Sequence, residues 1–153
     1  AVDETQDSTL PFVISATLDL NDGFNGGATG SSTGRKLVVY TSETVLASTV
    51  AANLDKWHLN DAAGDDHGNL AGATVTADNM HTPAFTITIT EEQRVSALKI
   101  SGTSGGNGDA VVLDCDASAL TDMANVARDV RRAGGKAAPV GLVFADVALQ
   151  CDG

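Results

Sequence analysis

The most constraining feature of the sequence is a strict alternation of apolar and hydroxylated residues in AFTITIT, residues 84–90. Phe85, Ile87 and Ile89 fall on one side of an extended chain, and threonines fall on the other. A repeat of two residues is typical of a β-strand with one buried and one wet face. The segment FVISATLDL, residues 12–20, has the same period and predicts a first strand. Its two faces are predicted to consist of Phe12, Ile14, Ala16, Leu18 and Leu20, and of Val13, Ser15, Thr17 and Asp19.

The composition favours strands and turns over long helices. The chain has 153 residues, with 16 Asp but only 4 Glu, 16 Gly, and 4% aromatic residues. Asp and Gly favour turns, whereas Glu and Lys, the usual surface residues of helices, are scarce. No apolar run is long enough to cross a bilayer, and the start of the chain lacks the pattern of a signal peptide. We therefore expect one soluble domain, in which Ala1 follows either an initiator methionine or a cleaved signal peptide.

The rest of the chain predicts an antiparallel sandwich. Further strands are predicted at residues 35–42, 72–78, 94–101, 110–115 and 139–149. Residues 43–59 predict an irregular crossing with a short helical turn near Ser48 to Asp55, and residues 117–135 carry the best helical pattern. The total is seven or eight strands without a βαβ rhythm, so we expect an all-β fold, an Ig-like antiparallel β-sandwich with one short helix or helical turn.

The two cysteines, Cys115 and Cys151, leave two alternatives open. They are too few for a disulfide scaffold or a zinc site. They pair with each other if the protein matures outside the cell, or they are buried free thiols that pack as small apolar residues. Free thiols are the expectation from the sequence.

No motif in the sequence points to an enzyme. The pattern G-x-S-x-G occurs at residues 30–34 and 102–106, but a nucleophile elbow needs a strand before it, a helix after it and a later histidine. No histidine follows His81. Phosphate-binding loops and dinucleotide fingerprints are absent from the sequence. We therefore expect a non-enzymatic protein with no catalytic residues and no cofactor.

Metal sites are not predicted either. His58, His67 and His81 lack the spacing of a transition-metal site. Asp61, Asp65 and Asp66 supply oxygen ligands in one loop, but they do not match the calcium-loop pattern. Asp residues in turns usually bond to their own backbone, and we expect this role here.

Three segments resemble the bacterial Ig-like repeats found in surface proteins and in many tailed-phage virion proteins. They are PFVISATLDL, KLVVYTSETV and ALKISGTSGGNGDAVVLDCDASALTDMANVA. The matching residues are Val13, Ser15, Ala16 and Thr17 in the first, Leu37, Val39, Tyr40, Ser42, Glu43 and Val45 in the second, and Ala119, Leu120, Thr121, Asp122, Ala124 and Asn125 in the third. Thr41 is inserted in the second segment, and the third lacks the usual glycine before Asn125. The resemblance spans residues 12–149 and implies an adhesive or decorative Ig-like module without an active site.

A single domain of this kind with an acidic arm looks most like a phage capsid decoration protein. The resemblance implies a virion location on the capsid surface, the major capsid protein as partner, and a homo-oligomer in which trimers are one arrangement. Residues 1–11 are the predicted arm and residues 12–153 the domain. The net charge of −11 repels phosphate backbones, so nucleic acid is not an expected partner, and neither is a membrane. The predicted partner-binding residues are Asp3, Glu4, Thr5, Leu10, Pro11, Phe12 and Trp57.

The alternative is a secreted or cell-surface module, with an extracellular location, that recognises glycan or protein. Its contacts would come from the loops at residues 21–34 and 102–108. A disulfide between Cys115 and Cys151 would favour this alternative. Trp57 is interpreted as a core or interface residue rather than as a platform for a sugar ring.

Overall fold

The computed structural model describes residues 9–21, 35–77, 81–121, 143–144 and 147–151. Within these residues the chain forms nine strands, two α-helices and one turn of 3-10 helix. In chain order these are β1 (Val13–Asp19), β2 (Lys36–Leu46), α1 (Ala47–Ala52), the 3-10 turn (Leu54–Lys56), β3 (Trp57–Asn60), β4 (Asp66–Asn69), β5 (Thr74–Thr76), β6 (His81–Thr88), α2 (Glu91–Lys99), β7 (Val111–Cys115), β8 (Val143–Phe144) and β9 (Val147–Cys151).

The strands form two sheets. The four-stranded sheet has the order β1-β2-β6-β5, and its neighbouring strands are antiparallel. The five-stranded sheet has the order β4-β3-β7-β9-β8, in which β7 and β9 are parallel and the other pairs are antiparallel. The predicted all-β, sandwich-like fold is confirmed. The parallel pair departs from a purely antiparallel arrangement, and it is possible because a long connection separates β7 from β9.

The core lies between the facing sides of the two sheets. From the four-stranded sheet the buried side chains are Leu37, Val39, Phe85 and Ile87, and from the five-stranded sheet they are Trp57, Leu59, Val111 and Leu113. The rings of Trp57 and Phe85 meet edge to face, with their centroids 5.7 Å apart and their planes at 80°. The predicted alternation of Phe85, Ile87 and Ile89 is confirmed, since all three are buried.

A β-bulge interrupts β1. Val13 pairs with Thr41 and Ser15 pairs with Tyr40, so Ile14 is an extra residue with no partner on β2. A bulge of this kind leaves one residue unpaired and changes which face the following residues occupy. As a result Ile14 is exposed while Val13 is buried.

The predicted assignment of residues to the two faces of the first strand is therefore wrong from the bulge towards the N-terminus. Ala16 and Leu18 point into the core, as predicted, but Phe12 and Ile14 do not. Phe12 continues the pairing beyond the bulge: its carbonyl oxygen accepts from the Ser42 amide at 2.8 Å. A strict period of two cannot show an inserted residue, because every residue after the insertion changes face.

The predicted strand at residues 94–101 is wrong, because most of this segment belongs to α2. The helix begins with a capping box: the Thr90 hydroxyl accepts from the Gln93 amide at 3.2 Å, and the Gln93 side chain accepts from the Thr90 amide at 2.8 Å. Glu91 and Glu92 occupy the first turn and Lys99 the last, as the helix dipole favours. The loop after α2 therefore links a helix to β7 and is not a hairpin.

Two other predictions concern the middle and the end of the chain. The irregular crossing at residues 43–59 is confirmed in its helical part, which forms α1 and the 3-10 turn. The single strand predicted at residues 139–149 is instead two strands, β8 and β9, which pair antiparallel. Residues 117–121 are not helical, and the rest of the helix predicted at residues 117–135 lies outside the described residues.

The loop between α2 and β7 contains one position with no room for a side chain. A Cβ atom on Gly106 would lie 1.9 Å from the carbonyl oxygen of Ser101 and 2.6 Å from that of Leu98. Backbone atoms cannot move aside as a flexible side chain can. The Gly106 amide also donates to the Thr103 carbonyl at 3.0 Å, and Gly108 donates to Ser101 at 3.2 Å.

A disulfide links two neighbouring strands of the five-stranded sheet. Cys115 is disulfide-bonded, and the only other cysteine of the chain is Cys151. Their Cα atoms are partners in the parallel register of β7 and β9. The expectation of free thiols is therefore wrong, and the bridge holds β9 to its neighbour in the sheet.

Candidate functional site

The outward side of the four-stranded sheet is a continuous surface, which we call the outer face. One row crosses all four strands through Thr17, Val38, Thr86 and Thr76, and these residues are register partners. The next row consists of Ser15, Tyr40 and Ala84. Phe12 and Ile14 extend the surface at the N-terminal end of β1.

The outer face carries three of the four large apolar side chains that are exposed among the described residues. The exposed fractions are 57% for Phe12, 45% for Ile14 and 49% for Tyr40, and the fourth residue, Val95 on α2, is 37% exposed. The bulge in β1 accounts for the exposure of Ile14, since it brings both Ile14 and Ser15 to the outward side. Clustered apolar groups on a surface mark a site of interaction more often than scattered ones do.

The hydroxyl groups of the outer face are free to bind. Ser15, Thr17, Thr76 and Thr86 make no side-chain hydrogen bond within the described part of the chain, whereas several other hydroxyls are used internally. Thr41, for example, donates to the carbonyl oxygen of Glu43 at 2.7 Å. These two rows contain no charged residue. The next row on the same side crosses all four strands through Asp19, Lys36, Thr88 and Thr74, and its two charges are register partners of opposite sign.

A second polar group lies on the outward side of the five-stranded sheet. His58 is held between two carboxylates, with its Nδ1 atom 3.2 Å from Asp66 and its Nε2 atom 3.5 Å from Asp116. Asn60 donates to Asp114 at 3.3 Å on the same side. None of the serine or threonine hydroxyls in the described residues is hydrogen-bonded to His58, so this arrangement offers an oriented imidazole without a nucleophile.

The turn between β3 and β4 is organised by Asp61. Its Oδ1 atom accepts from the amides of Ala63 and Asp65, both at 2.9 Å, and its Oδ2 atom lies 3.1 Å from the Nε2 atom of His67. The hydrogen bond from His67, followed by that from the Asp65 amide, lowers the pKa of Asp61. The backbone role expected for this aspartate is therefore confirmed.

Asp66, in the same hairpin, has a similar role. Its Oδ1 atom accepts from the Gly68 amide at 2.8 Å, and this bond, helped by His58, lowers the pKa of Asp66. In the described residues no group of three or more histidine, cysteine, aspartate or glutamate side chains is arranged to hold a metal ion.

A cleft of about 750 Å³ lies between β4 and the start of α2, and its lining includes Asp66, His67 and Glu92. Most of its polar groups already have structural partners. The Gln93 side chain donates to the carbonyl oxygen of Ala71 at 2.8 Å and so ties α2 to the turn before β5. Glu91 binds Arg94 through both carboxylate oxygens, at 2.6 and 2.9 Å, and these bonds lower its pKa. The polar groups that line the cleft therefore mainly stabilise α2 and its attachment to the turn before β5.

The two G-x-S-x-G segments do not form a nucleophile elbow in the described part of the chain. The segment at residues 30–34 lies outside the described residues. The segment at residues 102–106 follows the end of α2 and precedes β7, and Ser104 is exposed without a histidine partner. This order of elements is the reverse of the strand and helix that an elbow requires.

The predicted partner-binding residues have different positions. Asp3, Glu4 and Thr5 lie outside the described residues. Leu10 and Pro11 are partly exposed and lead into Phe12, which belongs to the outer face.

Trp57 does not belong to a binding surface. It is fully buried and packs against Phe85, so the core interpretation of this residue is correct and its place among the partner-binding residues is not. Tyr40 and Ile14, in contrast, are exposed and were not predicted to bind a partner. The outward position of Ile14 depends on the bulge, which the sequence does not show. The alternation of β2, in which Leu37 and Val39 are buried, is a signal that could have indicated Tyr40.

No known protein family, curated protein or solved structure matches this chain. Of the helices that the structure describes, none combines the length and the apolar character needed to cross a lipid bilayer. The class that the geometry defines is therefore a two-sheet β protein with an uncharged outer face and a disulfide in the opposite sheet.

Proposed function

We propose that this protein is a non-enzymatic binding module that works outside the cytoplasm, either secreted or on a cell surface. The observation that carries the proposal is the disulfide of Cys115. Disulfides persist in oxidising compartments and are rare where thiols are kept reduced. A bridge between Cys115 and Cys151 favours a secreted or cell-surface module.

The roles of the polar side chains support a binding function over catalysis. His58, Asp61, Asp66 and Glu91 all have partners that hold a turn, a helix end or a strand in place. The aromatic, apolar and hydroxyl side chains of the outer face have no such structural partner among the described residues. A surface of this kind binds by contact and hydrogen bonding rather than by proton transfer.

The test is to trap the thiols in the protein from its natural source. Cultures are treated with iodoacetamide, then separated into medium, cell envelope, cytoplasm and particles sedimented on a density gradient. Non-reducing peptide mapping then measures the fraction of chains with Cys115 bound to Cys151. We expect bridged protein in the medium or envelope. Protein found mainly in the cytoplasm with alkylated thiols would overturn the proposal.

A second candidate is a capsid decoration protein, and the position of Phe12 favours it. Phe12 is exposed, and the predicted arm of residues 1–11 leads directly into it. An arm continuous with an exposed apolar residue suits docking on a larger assembly. The particle fraction of the same experiment tests this candidate, which requires a fixed ratio to the major capsid protein. Deleting residues 1–9 should then abolish particle binding, and retained binding would reject the arm as the docking element.

A further inference from the structure

We infer that the outer face binds a neutral polysaccharide, with Tyr40 and Phe12 stacking on sugar rings and the hydroxyl groups of Thr17 and Thr86 bonding to sugar hydroxyls. The inference rests on the proposed function and identifies both the binding surface and the ligand class. It places the contact on the sheet and not in the loops at residues 21–34 and 102–108.

The outer face differs in charge from the chain as a whole. The chain has 20 acidic and 9 basic residues, yet the two rows of the outer face contain none of them. A surface selected for an anionic ligand would present lysine or arginine, and one for a cationic ligand would present carboxylates. An uncharged surface on a strongly acidic protein suits an uncharged partner.

The outer face also carries hydroxyl groups that have no hydrogen-bonding partner within the described residues. Thr17, Thr76 and Thr86 lie in one row and make no side-chain hydrogen bonds within the described residues. Neighbouring strands are about 4.8 Å apart, and residues two apart on a strand are about 6.7 Å apart. Thr76 and Thr86 are therefore about 4.8 Å apart, and Thr17 and Thr86, which have Val38 between them, are about 9.6 Å apart. At these spacings the hydroxyls of the row can meet hydroxyls of different sugar rings along one polysaccharide chain.

The outer face carries a pair of exposed aromatic rings. Tyr40 and Phe12 lie near one another on β2 and at the start of β1, and about half of each side chain is exposed. Aromatic rings offer a rigid apolar face with a low loss of conformational entropy on binding. A sugar ring has an apolar side of carbon-bound hydrogens and a rim of hydroxyls, so it matches rings beside hydroxyl groups. A protein partner would contact the rings but would make fewer hydrogen bonds with the threonine row.

The experiment uses the full chain with its disulfide intact. Depletion onto microcrystalline cellulose and insoluble chitin is measured together with affinity electrophoresis in mixed-linkage β-glucan and dextran, with alginate as the anionic comparison. The variants are Tyr40→Ala, Phe12→Ala and the double variant T17V/T86V, which keeps the shape of the row but removes two hydroxyls. Val95→Ala is the matched control, because Val95 is the exposed apolar residue on α2.

We expect at least one neutral polysaccharide to bind, with little dependence on salt because no charges are involved. Tyr40→Ala should weaken binding about tenfold, T17V/T86V should weaken it less, and Val95→Ala should leave it unchanged. Thermal melting of each variant verifies that it is folded. Binding that all the outer-face variants retain would overturn the inference while leaving the proposed function intact.

Three other outcomes also overturn the inference. They are failure of all four neutral polysaccharides to bind, equal binding of alginate that salt abolishes, and a homodimer that Tyr40→Ala dissociates in sedimentation while no polysaccharide binds. None of them decides the proposed function, which depends on the separate measurement of location and thiol state.

Discussion

Asp61 shows how one side chain can organise a turn in this protein. It accepts three hydrogen bonds, from two backbone amides and from His67. Each bond favours the charged carboxylate, so the pKa of Asp61 is lower in the folded protein than its ordinary value of 3.8. A group of this kind stabilises the fold at pH values above the ordinary pKa, and the contribution disappears as the pH falls through the lowered one.

Replacing Asp61 with asparagine should therefore lower the melting temperature at neutral pH. The difference from the wild type should shrink as the pH falls below 3.8, because the wild-type carboxylate then becomes protonated. Asp65→Asn is the matched control: Asp65 is exposed and its side chain makes no hydrogen bond in the described residues. Melting curves of the three proteins between pH 2 and 7 measure the effect. A constant difference over that range would show that the carboxylate charge does not stabilise the turn.

The strand β1 illustrates how a local irregularity defines a surface. Its bulge allows Val13, Ala16 and Leu18 to share the buried side while Ile14 and Ser15 both face outward. Without Ile14 the strand would alternate regularly from Val13 onward.

Deleting Ile14 should therefore be tolerated, because Val13 and Ser15 already pair with adjacent residues of β2. We expect the free energy of unfolding to change by less than about 1 kcal/mol. Deleting Thr17 is the matched control, since it moves Ala16 and all residues before it to the opposite face and should cost more than about 3 kcal/mol. Urea unfolding of both deletions gives the two values. Similar losses in both would mean that Ile14 is not an extra residue.

The helix α2 depends on its capping box. Thr90→Ala removes the hydroxyl that accepts from the Gln93 amide and should lower the free energy of unfolding by about 1 kcal/mol. Thr90→Ser keeps the hydroxyl and should stay close to the wild type. Urea unfolding again provides the measurement. If the serine variant lost as much stability as the alanine variant, the methyl group and not the cap would be responsible.

The strands β1 and β6 and the helix α2 also show what could be predicted from the sequence. The alternation in AFTITIT places Phe85 and Ile87 in the core correctly, because period and burial agree there. The box Thr90 to Gln93 is a readable helix start, but the alternating residues after it favoured a strand. The bulge leaves no trace in the pattern, so the exposure of Ile14 could not be predicted. The exposure of Tyr40 could be, because Tyr40 follows the regular alternation of β2, in which Leu37 and Val39 are buried. Free thiols were expected in place of the disulfide because the sequence does not give the register of β7 and β9.

Across the whole molecule, charge is distributed unevenly between the two sheets. Asp61, Asp66, Asp114 and Asp116 lie on or beside the outward side of the five-stranded sheet. The rows of the outer face on the other sheet carry no charge. Like charges on the acidic side repel one another and disfavour contact between copies through that side. The uncharged face is therefore the side on which a close approach to a partner costs least.

The disulfide should account for a large part of the stability of the whole fold. Reduction, or the double variant C115A/C151A, should lower the free energy of unfolding by about 4 kcal/mol, the value expected from the length of chain that the bridge closes. Urea unfolding followed by the fluorescence of Trp57, the only tryptophan, measures this with and without dithiothreitol. The double variant is the control and should not respond to dithiothreitol. A wild-type midpoint that dithiothreitol leaves unchanged would contradict the prediction.

The crowding around Gly106 has a consequence for how this sequence can change over time. The loop SGTSGGNGD resembles a stretch of simple composition in which small residues exchange freely. At Gly106 even alanine would place its methyl carbon 1.9 Å from a backbone oxygen. A substitution there must displace the main chain at the end of α2. Accepted substitutions should therefore be absent at Gly106 and frequent at Ser104 nearby. In a saturation library screened for folded protein, Gly106 should be the least tolerant position of this segment. The positive-φ glycines Gly105 and Gly108 and the buried Ser101 should be restricted as well, and Ser104 should accept most residues.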